Sequence, residues 1–539
     1  MTGDTVIEAM RTPDAVFVWS TASGGMSTAA KESDGGWVTS SARVETVKMI
    51  DGLSVRVTSP SAGLSRVALR WRDGVQEDAL VLGDAWERSY GDLGWQHVRP
   101  ERVLPWYWLA TSSGHYTRGA GVRVRPGAIS YWTVDTDGVT LWLDVRSGSE
   151  PVELDGRELE AATVVAISAV SDVSAFSAQK TLCAALCSDS RALRTPLVGA
   201  NNWYYAYGSG FDAQAVVRDA ALIVEAADGH VERPFSVIDA GWSTGASGAP
   251  GGPWLTGIKS FENMTTVADR IRAEGARPGL WMRPLLTSDR SSLTREEMLD
   301  GEWPLDPSRP EVLNQVRRDI QRLVSWGYEL IKHDFSTFDT IGHFVPGTEL
   351  GMEAVPWSFA DRSRTTAEVV IGLYRAIREA AGDTIVIGCN TIGHLAAGLV
   401  EVQRIGDDTS GRQWERTRRM GVNTLAFRLA QHGAFFSVDA DCVPSTLETP
   451  WEKNRQFLDL IAHSGTALFA SIDPVTWKGE VIADVRRAVK TALDGGDPGG
   501  IEPLDWQLNS APRRWLRADG EHFYDWSMPW GADSGLASI

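Results

Sequence analysis

Cysteine is scarce. The four in 539 residues, Cys183, Cys187, Cys389 and Cys442, are too few and too scattered for a disulfide framework. Cys183 and Cys187 lie four apart in TLCAALCSD, which reads as two apolar thiols in a core. Positive charge is also in short supply: the formal net charge is −18, so nucleic acid and anionic membranes would repel the chain at long range. No stretch reaches the roughly 18 apolar residues of a membrane span. The first residues, MTGDTVIEAMRTPDAV, lack a basic start followed by an apolar run, so the expected compartment is the cytoplasm. Neither HxH nor HExxH occurs, which removes the usual zinc spacings.

What is present describes a large globular protein. A chain of 539 residues exceeds one ordinary core, so two or three domains are expected, one of them barrel-sized. Hydrophobic residues at 43% and charged ones at 23% exclude extended disorder. Trp is plentiful, at 23 residues. Many of these belong to cores, yet indole also offers a flat face to a sugar ring and an N–H to a hydroxyl.

Residues 1–190 read as short strands closed by Gly, Pro, Asp or Ser, among them VFVWSTASG, RVALRWRDG, ISYWTVDTDG and VTLWLDVRSG. Apolar and polar residues alternate, which predicts an antiparallel β-sandwich. The pattern changes near Thr195-Pro196. Beyond it, apolar strands alternate with helices whose apolar residues recur at steps of three and four. In EVLNQVRRDIQRLVSWG, Leu313, Val316, Ile320 and Leu323 share one face. Similar helices are expected at about 212–228, 264–275, 365–381, 417–432, 451–464 and 479–494. Eight apolar strands lie between them: NNWYYAYG, FSVIDAGW, PGLWMRPLL, YELIKHDF, TIVIGCN, VEVQRIGDD, AFFSVDADC and ALFASIDP. They predict a (β/α)8 TIM barrel over residues 191–496. After it, PLDWQLN, PRRWLRAD and HFYDWSMPW form a short C-terminal β segment, 497–539, expected to pack on the barrel.

In this fold the active site collects at the C-terminal ends of the strands. The residues there are Trp203, Asp239 with Trp242, Trp281 with Arg283, Lys332 with Asp334, Cys389 with Asn390, Arg404 with Asp408, Asp439 with Asp441, and Asp473. Turns favour a single Asp, but charge at most strand ends points to a site. Retaining hydrolysis of a glycoside needs two carboxyls about 5–5.5 Å apart, one to attack the anomeric carbon and one to protonate the leaving oxygen. Asp334, next but one to the cation Lys332, suits the nucleophile. Asp408, four residues after Arg404 in QRIGDDTSG, suits the acid, with Asp407 expected to help keep a proton on the pair. Asp439 and Asp441 fall on one face and could bind sugar hydroxyls, or a divalent cation with His333 or His432.

At these residues the chain resembles the retaining α-galactosidase clan, glycoside hydrolase families 27 and 36, over roughly residues 200–475. IDAGW at 238–242 is similar to the family's DDGW or DDCW element, and GLWMRP at 279–284 to its GLW element. Lys332-His333-Asp334 matches the K-x-D nucleophile motif, GCNTIG at 388–393 the cysteine loop, Arg404 to Asp408 the R-x-x-x-D acid/base motif, and VDADC at 438–442 the NDPDM motif. The preceding sandwich is similar to that of family 36. The resemblance implies Asp334 as nucleophile and Asp408, rather than Asp407, as acid/base. It also implies a sugar fixed by Asp239, Lys332, Arg404, Asp439 and Asp441, in a pocket walled by Trp203, Trp242 and Trp281 and further lined by Arg283, Cys389 and Asn390. The chain departs from the family in two places: Ala240 replaces the second Asp that recognises galactose O4 and O6, and Arg283 stands where family 36 tends to carry an acidic residue.

The expected activity is exo-hydrolysis of a terminal α-glycoside on a small carbohydrate, without cofactor or metal. A transglycosidase of the raffinose-synthase kind uses the same intermediate, and a metal-dependent barrel hydrolase or isomerase using Asp439 and Asp441 is the rival from another class. A purely sugar-binding protein has no need of a carboxyl pair on two strands. The sequence is compatible with a homo-oligomer.

Overall fold

The computed structural model describes residues 5–8, 10–112, 116–169, 173–208, 210–243, 251–261, 263–291, 293–295, 303–342 and 357–528. Alternating sequences such as AVFVWS at Ala15–Ser20 bury every second side chain. Among the described residues these strands build two antiparallel sheets, of ten and six strands. Their inward faces, including Val16, Val55, Val67, Leu69, Trp71, Trp132 and Leu141, form one core. One departure from the all-β expectation is TLCAALCSD, which mostly lies in a helix, Ala175–Leu186, capped by Ser174. The helix buries Phe176, Leu182, Cys183 and Leu186 against strands Tyr116–Val122 and Glu158–Ala169. Its Ala- and Leu-rich sequence favours that state.

The barrel strands are β1 Val198–Asn201, β2 Phe235–Ile238, β3 Arg277–Met282, β4 Leu330–His333, β5 Ile385–Gly388, β6 Val402–Arg404, β7 Ser437–Asp439 and β8 Leu468–Ile472. Each pairs in parallel with the next from β1 to β7, and β8 pairs with β1. The ring closes where the Ala467 N–H donates to Val438 O at 2.9 Å and where Val443–Ser445, just beyond β7, pairs with β8. One expected strand is misplaced: of NNWYYAYG only Asn201 belongs to β1, and Trp203–Ala206 is a helical turn. Asn201 Oδ1 accepts from the Trp203 N–H at 2.9 Å, a local bond that ends the strand.

Helices Ala213–Ala227, Met264–Ala273, Pro310–Ser325, Thr366–Ala381, Trp451–Ser464 and Glu480–Leu493 surround the barrel. The helix expected at 417–432 is a broken succession with a π-helical stretch, Arg418–Asn423. Three short antiparallel strands near the C-terminus, Glu502–Pro503, Arg514–Arg517 and Gly520–Phe523, seal Trp506, Trp515 and Trp526 into the barrel's core cluster. Pro529 and Trp530, which close HFYDWSMPW, lie outside the described residues. Among the described residues no helix is long and apolar enough to cross a membrane.

Sandwich and barrel meet at the rim of β6. Asp84 pairs with Arg428 at 2.8 Å, both buried. The Ser89 N–H donates to Ile405 O at 2.9 Å, and the Asp407 N–H donates to Ser89 O at 2.8 Å.

Candidate active site

Parallel strands in a ring deliver their C-terminal residues to one rim, so positions far apart in sequence converge there. Asp239, Arg283, Asp334 and Asp473 each follow directly on β2, β3, β4 and β8, while Arg404 and Asp439 end β6 and β7. Phe335, directly after Asp334, is left-handed at φ 61°. That turn lets helix Ser336–Ile341 start at once and leaves the Asp334 carboxylate facing back across the rim. Three donors orient it: Trp281 Nε1 at 2.9 Å on Oδ2, and on Oδ1 the backbone N–H groups of Phe335 at 2.7 Å and Asn390 at 3.1 Å.

Asp408 accepts from Arg404 Nη2 at 3.1 Å and from Trp203 Nε1 at 3.2 Å. Asp408 is partly exposed where Asp334 is buried, so it stands nearer solvent. Burial pushes its pKa up, but Arg404, Arg88 and Lys332 outweigh this and hold it at about 2. This corrects the role expected of Asp407. That carboxylate is turned to Arg88 at 3.0 Å and Arg416 at 2.6 Å, so it keeps no proton on Asp408.

Lys332 also departs from expectation. Its ammonium pairs with Asp239 at 2.6 Å, not with its chain neighbour Asp334, and Asn201 Nδ2 donates to the same Asp239 oxygen at 2.7 Å. Asp441, left-handed at φ 75°, binds Arg404 through Oδ1 at 3.0 Å. Its Oδ2 takes the Tyr204 hydroxyl, the Thr409 N–H at 2.8 Å and the Thr409 hydroxyl at 3.0 Å. Its oxygens are thus occupied by protein donors, which leaves it a brace for Arg404 rather than a hand for sugar hydroxyls. Asp439 accepts from the Asp441 N–H at 2.8 Å, and burial, with Asp441 opposing Arg404, raises its pKa to about 6.

Arg283 is locked by two nitrogens onto the buried Asp339, the shortest contact being 2.6 Å, with the Phe335 ring 4.3 Å away. Cys389 lies 3.8 Å from Arg404 Nη1. Asn390 gives Asp334 its backbone N–H, while its side-chain oxygen accepts from the Phe338 N–H at 3.1 Å. Trp242 is not a pocket wall: it is fully buried behind Trp281, to whose carbonyl it donates at 2.8 Å, and packs on Trp254 and Trp326. Asp473 caps its own turn, accepting from the Val475 N–H at 3.1 Å. His333, suggested as a metal ligand, is buried beside Tyr374, and burial lowers its pKa to about 3. His432 Nδ1 accepts from the Val438 N–H at 3.1 Å. Among the described residues no group of three or more His, Cys, Asp or Glu is arranged to hold a metal ion.

The fold is that of family 36 α-galactosidases. The chain is similar to TtGalA, an α-galactosidase from Thermus thermophilus solved with p-nitrophenyl α-D-galactopyranoside, at 16% identity and a TM-score of 0.59 over 89% of this chain and 99% of that one. It is similar to a variant of the α-galactosidase AgaA from Geobacillus stearothermophilus in complex with stachyose, at 15% identity and a TM-score of 0.57 over 91% and 73%. The galactosidase domain of the α-galactosidase-sucrose kinase AgaSK matches at 14% identity, with a TM-score of 0.58 over 91% and 71%. No family model matches the chain.

Several residues of the site escape a reading of strand ends. Asn201 and Asn202 hold Asp239, the latter accepting from its N–H at 2.9 Å; paired amides at a strand terminus were the available signal. Tyr204, Thr409 and Asp339 act as partners of rim charges. Arg88 comes from the sandwich, and nothing in its local sequence announces it.

Proposed function

We propose that this chain is a retaining, exo-acting α-glycosidase, with Asp334 as nucleophile and Asp408 as general acid/base. The observation that carries the reading is a pair of carboxylates on one rim, each steered by an indole N–H, Trp281 on Asp334 and Trp203 on Asp408, and both within the field of the same buried cation, Lys332. Asp334 attacks the anomeric carbon as the glycosidic C–O bond breaks, and Asp408 gives its proton to the departing oxygen. Water, losing its proton to Asp408, then attacks the glycosyl-aspartate and releases the sugar with its starting configuration. Asp239 and Lys332 are the groups best placed to hold the glycone's hydroxyls.

Arg404, Arg88 and Lys332 keep Asp408 ionised at neutral pH, so its proton must come with substrate. A neutral sugar that excludes water raises the cost of the charged form. The fold relatives are α-galactosidases by name, yet with Ala240 an axial O4 and an O6 meet one carboxylate instead of two, a loss of roughly 1–3 kcal/mol. Galactose therefore meets one acceptor fewer here than in the family's pattern. The test is a panel of aryl α- and β-glycosides of galactose, glucose, N-acetylgalactosamine, arabinose and fucose, with product anomers followed by proton NMR. Retention of an α-configured product and loss of turnover in Asp334→Ala are expected. Inversion, or turnover surviving in that variant, overturns the assignment.

A further inference from the structure

The loop that carries Asp408 is built against the sandwich. The two backbone bonds between Ser89 and residues 405–407 form a parallel bridge between Ser89 and Gly406, and the Ser89 hydroxyl meets that of Thr424 at 2.9 Å. A Cβ at Gly406 would lie 2.4 Å from Met420 O, so only glycine fits at this point of the loop. Beside it, Arg88, only 12% exposed, reaches Asp407 at 3.0 Å, while Arg416 holds the other oxygen of Asp407 at 2.6 Å. The residue before Asp408 is therefore pinned by a backbone clamp and a cation that both belong to the other domain.

We propose that Arg88 is a positioning residue of the catalytic site, through which the sandwich domain sets where Asp408 stands and how readily it takes a proton. The inference rests on Asp408 being the acid/base. The charged and titratable groups around Asp408 are Arg404 from β6, Lys332 from β4 and Arg88 from the sandwich, with Asp407 beside it and Tyr204 and Asp441 behind; the Trp203 indole donates from the turn after β1. Arg404 and Lys332 are also tied to Asp441 and Asp239. Arg88 is the one cation of the three whose removal leaves those barrel pairs intact. It favours the ionised form of Asp408, so its loss raises that carboxyl's proton affinity. The limb of kcat that falls as Asp408 ionises in the substrate complex should then move to higher pH.

The test uses the full chain carrying Arg88→Met or Arg88→Lys. With an aryl α-glycoside of poor leaving ability, Arg88→Met is expected to move the basic limb of kcat up by about one pH unit, and Arg88→Lys to restore it. With a dinitrophenyl glycoside, which leaves without a proton, the limb should be absent in both variants. Amide hydrogen exchange over residues 405–411 is expected to speed up about tenfold in Arg88→Met. Should that variant not fold, Asp407→Asn removes the same ion pair: the exchange rate is read the same way, but the limb moves to lower pH, because Arg88 then faces Asp408 without its counter-ion. A pH profile and an exchange rate both unchanged from wild type overturn the proposal. If the wild-type chain cleaves no glycoside, the functional reading fails on its own and the exchange rate alone decides the clamp, an unchanged rate sinking it.

Discussion

Inside the sandwich the buried layer is Val, Leu and Trp, while at the rim of the barrel Asp239, Arg283, Lys332, Asp339, Arg404, Asp439 and Asp441 are all buried. The sandwich's own buried charges, Asp84, Glu87, Asp144 and Arg146, gather where it meets the barrel: Asp84 on Arg428, Glu87 through its carbonyl on Arg428 Nη1, and Asp144 on Arg146, whose carbonyl accepts from the Thr366 N–H. Burying an ion costs several kcal/mol even when it is paired. The contrast shows which half of the molecule is built for cohesion and which carries fixed charge that can meet charge developing in a reaction.

The sharpest way to break the contrast is to remove the acid. Asp408→Asn should lower kcat/KM by about 10²–10⁴-fold on glycosides with poor leaving groups and much less on dinitrophenyl glycosides; equal losses on both would mean that Asp408 donates no proton. Next in size, Lys332→Met strands Asp239 without its partner and should cost about 3–5 kcal/mol in a denaturant titration. Adding Asp239→Leu should recover most of that stability while turnover stays lost, which separates what the rim does for folding from what it does for chemistry.

In the sandwich the expected outcome is the reverse. Leu69→Ala removes a fully buried side chain and should cost about 2–5 kcal/mol, with kcat of the folded fraction unchanged. A parallel fall in kcat would show that the sandwich core is coupled to the site. The smallest effect is expected at Asp439. Its folded pKa of about 6 lies above the ordinary carboxylate value, so its contribution to stability is full below about pH 4 and is lost as pH rises through 6. Asp439→Asn, which is always neutral, should match wild type in thermal unfolding at pH 4 and exceed it at pH 8.

The barrel was legible because its strands are apolar runs that end in charge: Asp239, Asp334, Arg404 and Asp439 could be set on one rim from spacing and topology alone. What stayed hidden was how those charges divide among themselves. Lys332 lies two residues from Asp334 in the chain, but its ammonium reaches past β3 to Asp239 at the end of β2, a contact set by the closure of the ring and not by chain spacing. Asp441 carries the same carboxylate as Asp439, yet a left-handed backbone turns it onto Arg404, Tyr204 and Thr409, and no periodicity reports a sign of φ. Asp407 looked like a helper of Asp408 until Arg88, from more than 300 positions upstream, took its charge. NNWYYAYG has the aromatic content of a strand, but the Asn201 amide bonds its own backbone and halts the extended chain.

The buried pair between Asp84 and Arg428 has a mechanical consequence. Parting the two domains would separate Asp84 of the sandwich from Arg428 and Gln431 of the barrel, and Arg428 from the Glu87 carbonyl. Each half loses those contacts when the other unfolds, so melting is expected to run through both as a single calorimetric event.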